Sequence, residues 1–331
     1  MIGTGSAIIA PRMLDEELNI YLERLMSGFL GPTASDAEAV VLETVPERVF
    51  DVLTSRDFCY LSKARVAAYR QSVLALLAAS VRRREPLRFY YDIGGGYHAS
   101  IQPGVEAVSF EVGLAELFVL RQAAEFAAKV SRLYPGGVRF TLVIDNLCAL
   151  LVNDIPTART LGYCEALREM VRNVGLDDLI DVLVESEHFS TADFDRARTA
   201  TRPGPIALTR KQHENVARFL GRPCDEREAL DRTQRYSEIV GASEHLLTPL
   251  ILGVHMTQRA TKDTICFRPF PGGDSRIQCG EVAMTRNSKL KLCPMLLTSG
   301  NVGHHVYHRY CFPGLVPAVI PHVTYAVRLA A

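Results

Sequence analysis

Three features of the chain predict an α/β fold, a Rossmann-like parallel sheet flanked by helices. Short runs rich in branched and aromatic residues, at 87–93, 138–144 and 180–186, alternate with longer amphipathic stretches. Those stretches, 111–133 and 157–173, have the length of crossover helices, which join parallel strands with a right-handed turn. A composition of 48% hydrophobic and 22% charged residues over 331 positions is that of a globular protein with ample core.

Taken in order, the chain opens with helical patterning. Leu14, Leu18, Leu22, Leu25 and Phe29 recur at helical spacing, and Gly31-Pro32 stops that element. Residues 36–53 read as a second helix interrupted at Pro46. A third spans 62–84 and ends in Arg82-Arg83-Arg84, cations that complement the dipole at a helix carboxyl end. That run reads as a solvated cap rather than a phosphate clamp. Residues 1–84 are thus expected to form a helical segment packed on an α/β core at 85–190.

Within the core, 111–133 carries the strongest apolar face, with Leu114, Leu117, Phe118, Leu120, Phe126 and Val130. The helix at 157–173 is followed by Gly175, placed as a carboxyl-terminal cap. Residues 191–331 are expected to be a helical and β-rich region that completes the site. Asp225-Glu226-Arg227-Glu228 gives an acidic first turn to a long helix through His245, and Thr248 is placed to cap another. Beyond residue 263 short β-like runs at 264–270, 277–285, 289–297 and 316–329 either extend the first sheet or make a small antiparallel one.

Several functional classes are excluded on composition. Thirty-seven basic and 37 acidic side chains cancel, so no global field favours nucleic acid or an anionic membrane. The eight cysteines are dispersed without a CxxC pair, which suits reduced thiols in a cytoplasmic protein. The opening MIGTGSAIIAPRM lacks the basic and apolar regions of a secretory signal. No stretch approaches the roughly 20 apolar residues of a membrane span.

Candidate chemistry centres on 138–156, VRFTLVIDNLCALLVNDIP. Its apolar run gives way to Asp145-Asn146, with Asp154 shortly before Pro156. Ligands of open α/β sheets bind beyond the carboxyl ends of the strands. Two carboxylates and an amide there are either the mouth of a site or turn and capping residues. The strand at 87–93 runs into Gly94-Gly95-Gly96-Tyr97-His98, where glycines let the backbone pass close to a ligand. It is not a dinucleotide fingerprint, because position 99 is Ala99 and Pro103 precedes any helix. A plain turn is the alternative. His304, His305 and His308 are the one metal-like constellation, and on a helix the outer two would share a face. Gly300, Gly303 and Pro313 bracket the segment and argue against a helix, and no HExxH-type base accompanies it.

The order of these segments resembles the isonitrile synthase family of pyoverdine/paerucumarin and dityrosine biosynthesis. Glu85-Pro86-Leu87-Arg88-Phe89 is similar to the family's G-E-P-I/V-x-F, and Leu114-Ala115-Glu116 to its D-L-G-E. Leu133-Tyr134-Pro135-Gly136-Gly137-Val138 is similar to Y-P-P-G-A. Ile144-Asp145-Asn146 with Val152-Asn153-Asp154-Ile155-Pro156 resembles S-D-G-x-x-F-x-D-L-V/I-x-I/V-P. Arg235-Tyr236 and Arg268-Pro269 resemble later R-A-Y and S-I-H-P segments. The chain departs from the family in three places. Gly95-Gly96-Tyr97-His98 replaces an F-K-S-P-N loop and so lacks its lysine, Asn146 stands where the family has glycine, and a T-P-W-H segment has no counterpart. These departures make the chain a divergent member in this reading.

The resemblance implies a reaction of specialised metabolism. An amino acid's α-amine condenses with the C2 ketone of ribulose 5-phosphate, and the imine fragments to leave the nitrogen and one carbon as an isonitrile. No metal or redox cofactor is implied. The partners are the two small molecules, without nucleic acid or membrane, and self-association is left open. Proton transfer falls to Asp145, Asp154 and Glu116, since partial burial raises a carboxyl pKa toward the working pH. Each also has a structural reading, Asp154 as a helix cap and Glu116 as a first-turn residue. Gly95, Gly96, Tyr97, His98, Asn146, Arg268, Arg276 and Lys289 are the candidates for substrate contact, as backbone nests and cationic forks bind phosphate. Another amino-acid-modifying reaction, or small-molecule binding without catalysis on the same fold, is the alternative.

Overall fold

The structure, a computed structural model, describes residues 41–55, 57–59, 63–92, 114–153, 156–201, 204, 206–220, 222–251 and 253–257, with strand segments at 265–266, 282–286, 292–296, 307–311 and 322–326. The helix expected at 14–30 lies outside these residues.

A 3-10 turn, Leu42–Thr44, leads into α1, Val45–Leu53. Pro46 sits in the first turn of α1 and does not interrupt it. Its missing N–H is one that a helix start leaves unpaired anyway. Helix α2, Lys63–Arg83, ends in Arg82 and Arg83, and Arg84 takes the left-handed conformation beyond it (φ 56°). All three arginines are exposed, and Arg83 pairs with Glu85 at 2.9 Å, as a solvated cap requires.

Strand β1, Leu87–Asp92, is followed by α3, Leu114–Ser131, β2, Val138–Ile144, a short helix α4, Asn146–Asn153, and α5, Thr157–Asn173. Gly175 adopts φ 68° just past α5, the conformation for which a glycine was expected there. Strand β3, Ile180–Val184, passes directly into a single turn, α6, Glu185–His188. Helices α7, Thr191–Thr201, α8, Arg210–Leu220, and α9, Glu226–Leu247, follow. The Asp225 carboxylate accepts the Glu228 N–H at 2.8 Å and caps α9. Thr248 does not start a new helix: its hydroxyl donates to the Glu244 carbonyl and closes α9.

Strands β4, Val254–Thr257, and β5, Ile265–Cys266, return to the first sheet, giving a five-stranded parallel order β3-β2-β1-β4-β5. The remaining strands, β6, Val282–Arg286, β7, Leu292–Leu296, β8, Tyr307–Cys311, and β9, His322–Ala326, form an antiparallel sheet in the order β7-β6-β8-β9. The tail therefore does both things its pattern allowed.

Side-chain alternation along the strands makes the parallel sheet two-faced. Phe89, Tyr91, Phe140, Leu142 and Ile144 face one layer with α1, α2, α3 and α5. Phe126 of α3 stands edge-on to Phe89 at 5.0 Å and to Phe58 at 5.3 Å, the offset geometry that aromatic quadrupoles favour. Tyr90, Val143 and Leu183 face the other layer, against Leu247 at the end of α9 and Ile251. Chain order reverses between β1 and β4, so the topological switch of this sheet lies between those two strands. Gly253 makes the switch possible, because a Cβ there would stand 2.4 Å from the Arg88 carbonyl oxygen. Among the described residues no helix is long and apolar enough to cross a membrane.

Candidate functional site

Polar residues gather where β2 and β3 end, at the carboxyl edge of the sheet. Asp145 is the first residue past β2 and is half-buried. Its carbonyl accepts the Ala149 N–H at 2.9 Å, so α4 starts from it. Glu185, the first residue past β3, is 0% exposed. The Cys148 N–H of α4 donates to Glu185 Oε2 at 3.0 Å, and the Ser243 hydroxyl of α9 donates to Oε1. A carboxyl group from one strand end thus caps the helix that grows from the next, with α9 clamped on from outside.

Burial and the nearby Asp145 carboxylate both disfavour charge on Glu185, and the donors from Ser243, Cys148 and Leu147 offset only part of this. Its pKa is pushed up to about 8. Around neutral pH a buried acid that still carries its proton stands beside a half-buried one, an arrangement suited to moving protons.

Asn146 connects this edge to its neighbours. Its Nδ2 donates to Thr160 Oγ1 at 3.0 Å and to Ser186 Oγ at 2.8 Å, and its Oδ1 accepts the Ser186 N–H at 3.0 Å. Both amide hydrogens are used within the protein and the residue is 0% exposed. In this structure Asn146 ties α4 to α5 and α6. One turn along α5 from Thr160, the Tyr163 hydroxyl donates to Glu116 Oε1 at 3.1 Å. Glu116 is 3% exposed in the first turn of α3, the helix that leaves the carboxyl end of β1. Asn146 and Glu116 thus find partners one turn apart on α5, at Thr160 and Tyr163. Burial pushes the Cys164 thiol on α5 up to about 11, which removes it as a nucleophile at neutral pH.

Asp154, Gly95, Gly96, Tyr97, His98, Arg268, Arg276 and Lys289 lie outside the described residues, as do His304 and His305. His308 lies in β8, backbone-paired with Tyr325, so the segment around it is a strand and not the helix that a shared metal face would need. His255 stacks on Tyr90 at 4.3 Å across the β1–β4 switch, while His245 is exposed on α9. Among the described residues no group of three His, Cys, Asp or Glu is arranged to hold a metal ion. A shallow cleft on α9 is lined by Asp225, Arg227, Glu228, Asp231, Arg232 and Arg235. Its acids offset its arginines, and even Arg235, its nearest residue in sequence, is eight positions, about 12 Å of helix, from Ser243. It is not part of this edge.

Glu185 and Ser243 were not anticipated. The signal for Glu185 was present, an acid immediately beyond an apolar strand run, the same signal that marks Asp145. In IDVLVES it reads equally as the polar end of the strand.

No family model matches the chain, and no curated protein matches it in sequence. Its fold is similar to that of the PvcA protein from Pseudomonas aeruginosa, with a TM-score of 0.58 and 17% identity over 78% of this chain and 94% of that one. A tyrosyl-tRNA synthetase from Aeropyrum pernix aligns at a TM-score of 0.34 and 12% identity over 64% and 52%, too distant to bear on the fold. The chain thus shares with the PvcA protein an α/β architecture, a parallel sheet with helices on both faces.

Proposed function

We propose that this chain is an isonitrile-synthase-type enzyme of specialised metabolism that condenses an amino acid's α-amine with ribulose 5-phosphate. The observation that carries the reading is Asp145, half-buried at the carboxyl edge of the parallel sheet beside the buried Glu185. The ordered motifs and the likeness in fold to the PvcA protein support it.

In this reading Asp145 is the base that removes protons from the sugar hydroxyls and the imine's neighbouring carbon. Asp154 and Glu116 are the further acid–base groups. Asn146 acts by holding α4 in place and not by touching substrate. The phosphate falls to the Gly95-Gly96-Tyr97-His98 loop with Arg268, Arg276 and Lys289. The reaction so written calls for no metal or redox cofactor.

Incubation of the purified protein with proteinogenic amino acids and ribulose 5-phosphate labelled with carbon-13 at C2 tests it. Trapping with a tetrazine is expected to return a product that carries the label. No trapped product with any amino acid overturns the reading. The absent lysine in the first loop and Asn146 in the family's glycine position favour a second reading, another amino-acid-modifying reaction or small-molecule binding without catalysis. Saturable binding of the sugar phosphate without product would support that one.

A further inference from the structure

We infer that Glu185 is the proton store behind Asp145: its buried carboxyl, held by the Cys148 amide and the Ser243 hydroxyl, keeps the pair at one negative charge and leaves that charge on Asp145. The inference rests on the assignment of Asp145 as the base but not on the identity of the substrate.

The geometry gives Glu185 what a store needs. It is sealed from solvent, so its proton leaves and returns by way of the Ser243 hydroxyl. Its Oε2 is fixed by the Cys148 N–H at 3.0 Å, a bond available in either protonation state. Its Oε1 meets the Ser243 hydroxyl, which donates to the carboxylate and, by rotating, accepts from the acid. A neutral Glu185 adds no second charge beside Asp145. When Asp145 takes a proton from substrate its charge is lost, and Glu185 becomes easier to ionise, its proton leaving by way of the Ser243 hydroxyl. When Asp145 gives its proton to the departing water, Glu185 takes one back by the same route. The two groups therefore alternate.

Other charges from the elements packed here are committed elsewhere or exposed. Arg168 of α5 is paired with Glu187 of α6 at its guanidinium, and Arg198 of α7 with Glu238 of α9 at 2.7 Å. His188 of α6 and Glu244 and His245 of α9 are exposed. The charge that acts on Glu185 is that of Asp145.

The test follows glutamate side-chain carboxyl carbons by carbon-13 NMR against pH in the intact protein without substrate. The expected result is one glutamate that titrates near 8, well above the ordinary carboxyl range of roughly 4 to 5. It is the resonance lost in Glu185→Gln; should that variant fail to fold, it is the one moved by Ser243→Ala. Asp145→Asn, which removes the like charge, is expected to lower this midpoint by about one pH unit or more. Ser243→Ala, which removes a donor to the charged form, is expected to raise it. A Glu185 midpoint in the ordinary range, or one that Asp145→Asn leaves in place, overturns the inference. Because no substrate is present, these outcomes stand whether or not isonitrile is made.

Discussion

The Cys148 N–H donates to Glu185 Oε2 at 3.0 Å, so the acid that ends β3 caps the helix that begins where β2 ends. Two adjacent strands thereby share one helix start. The carboxyl sits among the first N–H groups of α4, where a negative charge is most welcome. It is also sealed from water beside Asp145, where a negative charge is least welcome. The second pair of effects wins, since the pKa is raised.

That balance sets a pH dependence of stability. The folded-state pKa of Glu185 lies above its unfolded value, so the folded protein binds more protons between about 4.5 and about 8. Stability contributed by this site is full below that window and falls as pH rises through it. Denaturant unfolding of wild type and Glu185→Gln at several pH values isolates the effect. The variant is expected to gain on wild type from pH 5 to about pH 8 and to level off above that.

Asn146 tests the framework. Replacing it with Ala or with Gly, the residue of the resembling family, strands the Ser186 N–H and removes the donor to the Thr160 and Ser186 hydroxyls. Either change is expected to cost about 2–4 kcal/mol of unfolding free energy, measured by chemical denaturation. A cost below about 1 kcal/mol would mean that the amide is not the tie described here.

Gly253→Ala tests the switch between β1 and β4. The added Cβ would lie 2.4 Å from the Arg88 carbonyl oxygen, and backbone must move to relieve it. A loss of about 1–3 kcal/mol is expected, with faster amide exchange in β4 than elsewhere in the sheet.

Tyr163→Phe removes the donor to the buried Glu116 Oε1 and leaves the ring in place. The expected cost is about 1–2 kcal/mol by denaturant unfolding.

The alternation of short β-like runs with amphipathic stretches made β1, α3, β2, α5 and β3 legible, because each carries a period or a cap of its own. Helix α5 shows this best, with Thr157 and Asn173 as its limits and Gly175 beyond. Helix α4 was not legible. NLCALLVN is buried on both sides, Ala149 in the sheet layer and Leu147 and Cys148 against α7 and α9, so no polar stripe betrays its turn. Strand β4 was missed for a related reason, since four residues are too few to show alternation. Asp145 was visible because the apolar run before it breaks abruptly. Glu185 ends its apolar run in the same way, but its role depends on Ser243, 58 positions away, which no local pattern shows. Which helix end a carboxyl caps is a fact of packing.

The most direct test is isonitrile formation by wild type and Asp145→Asn, assayed side by side by tetrazine trapping. Equal thermal unfolding of the two proteins serves as the control. The account predicts product from wild type and a loss of about 10²-fold or more in the variant, the usual scale for a missing general base. Undiminished product from Asp145→Asn would contradict it.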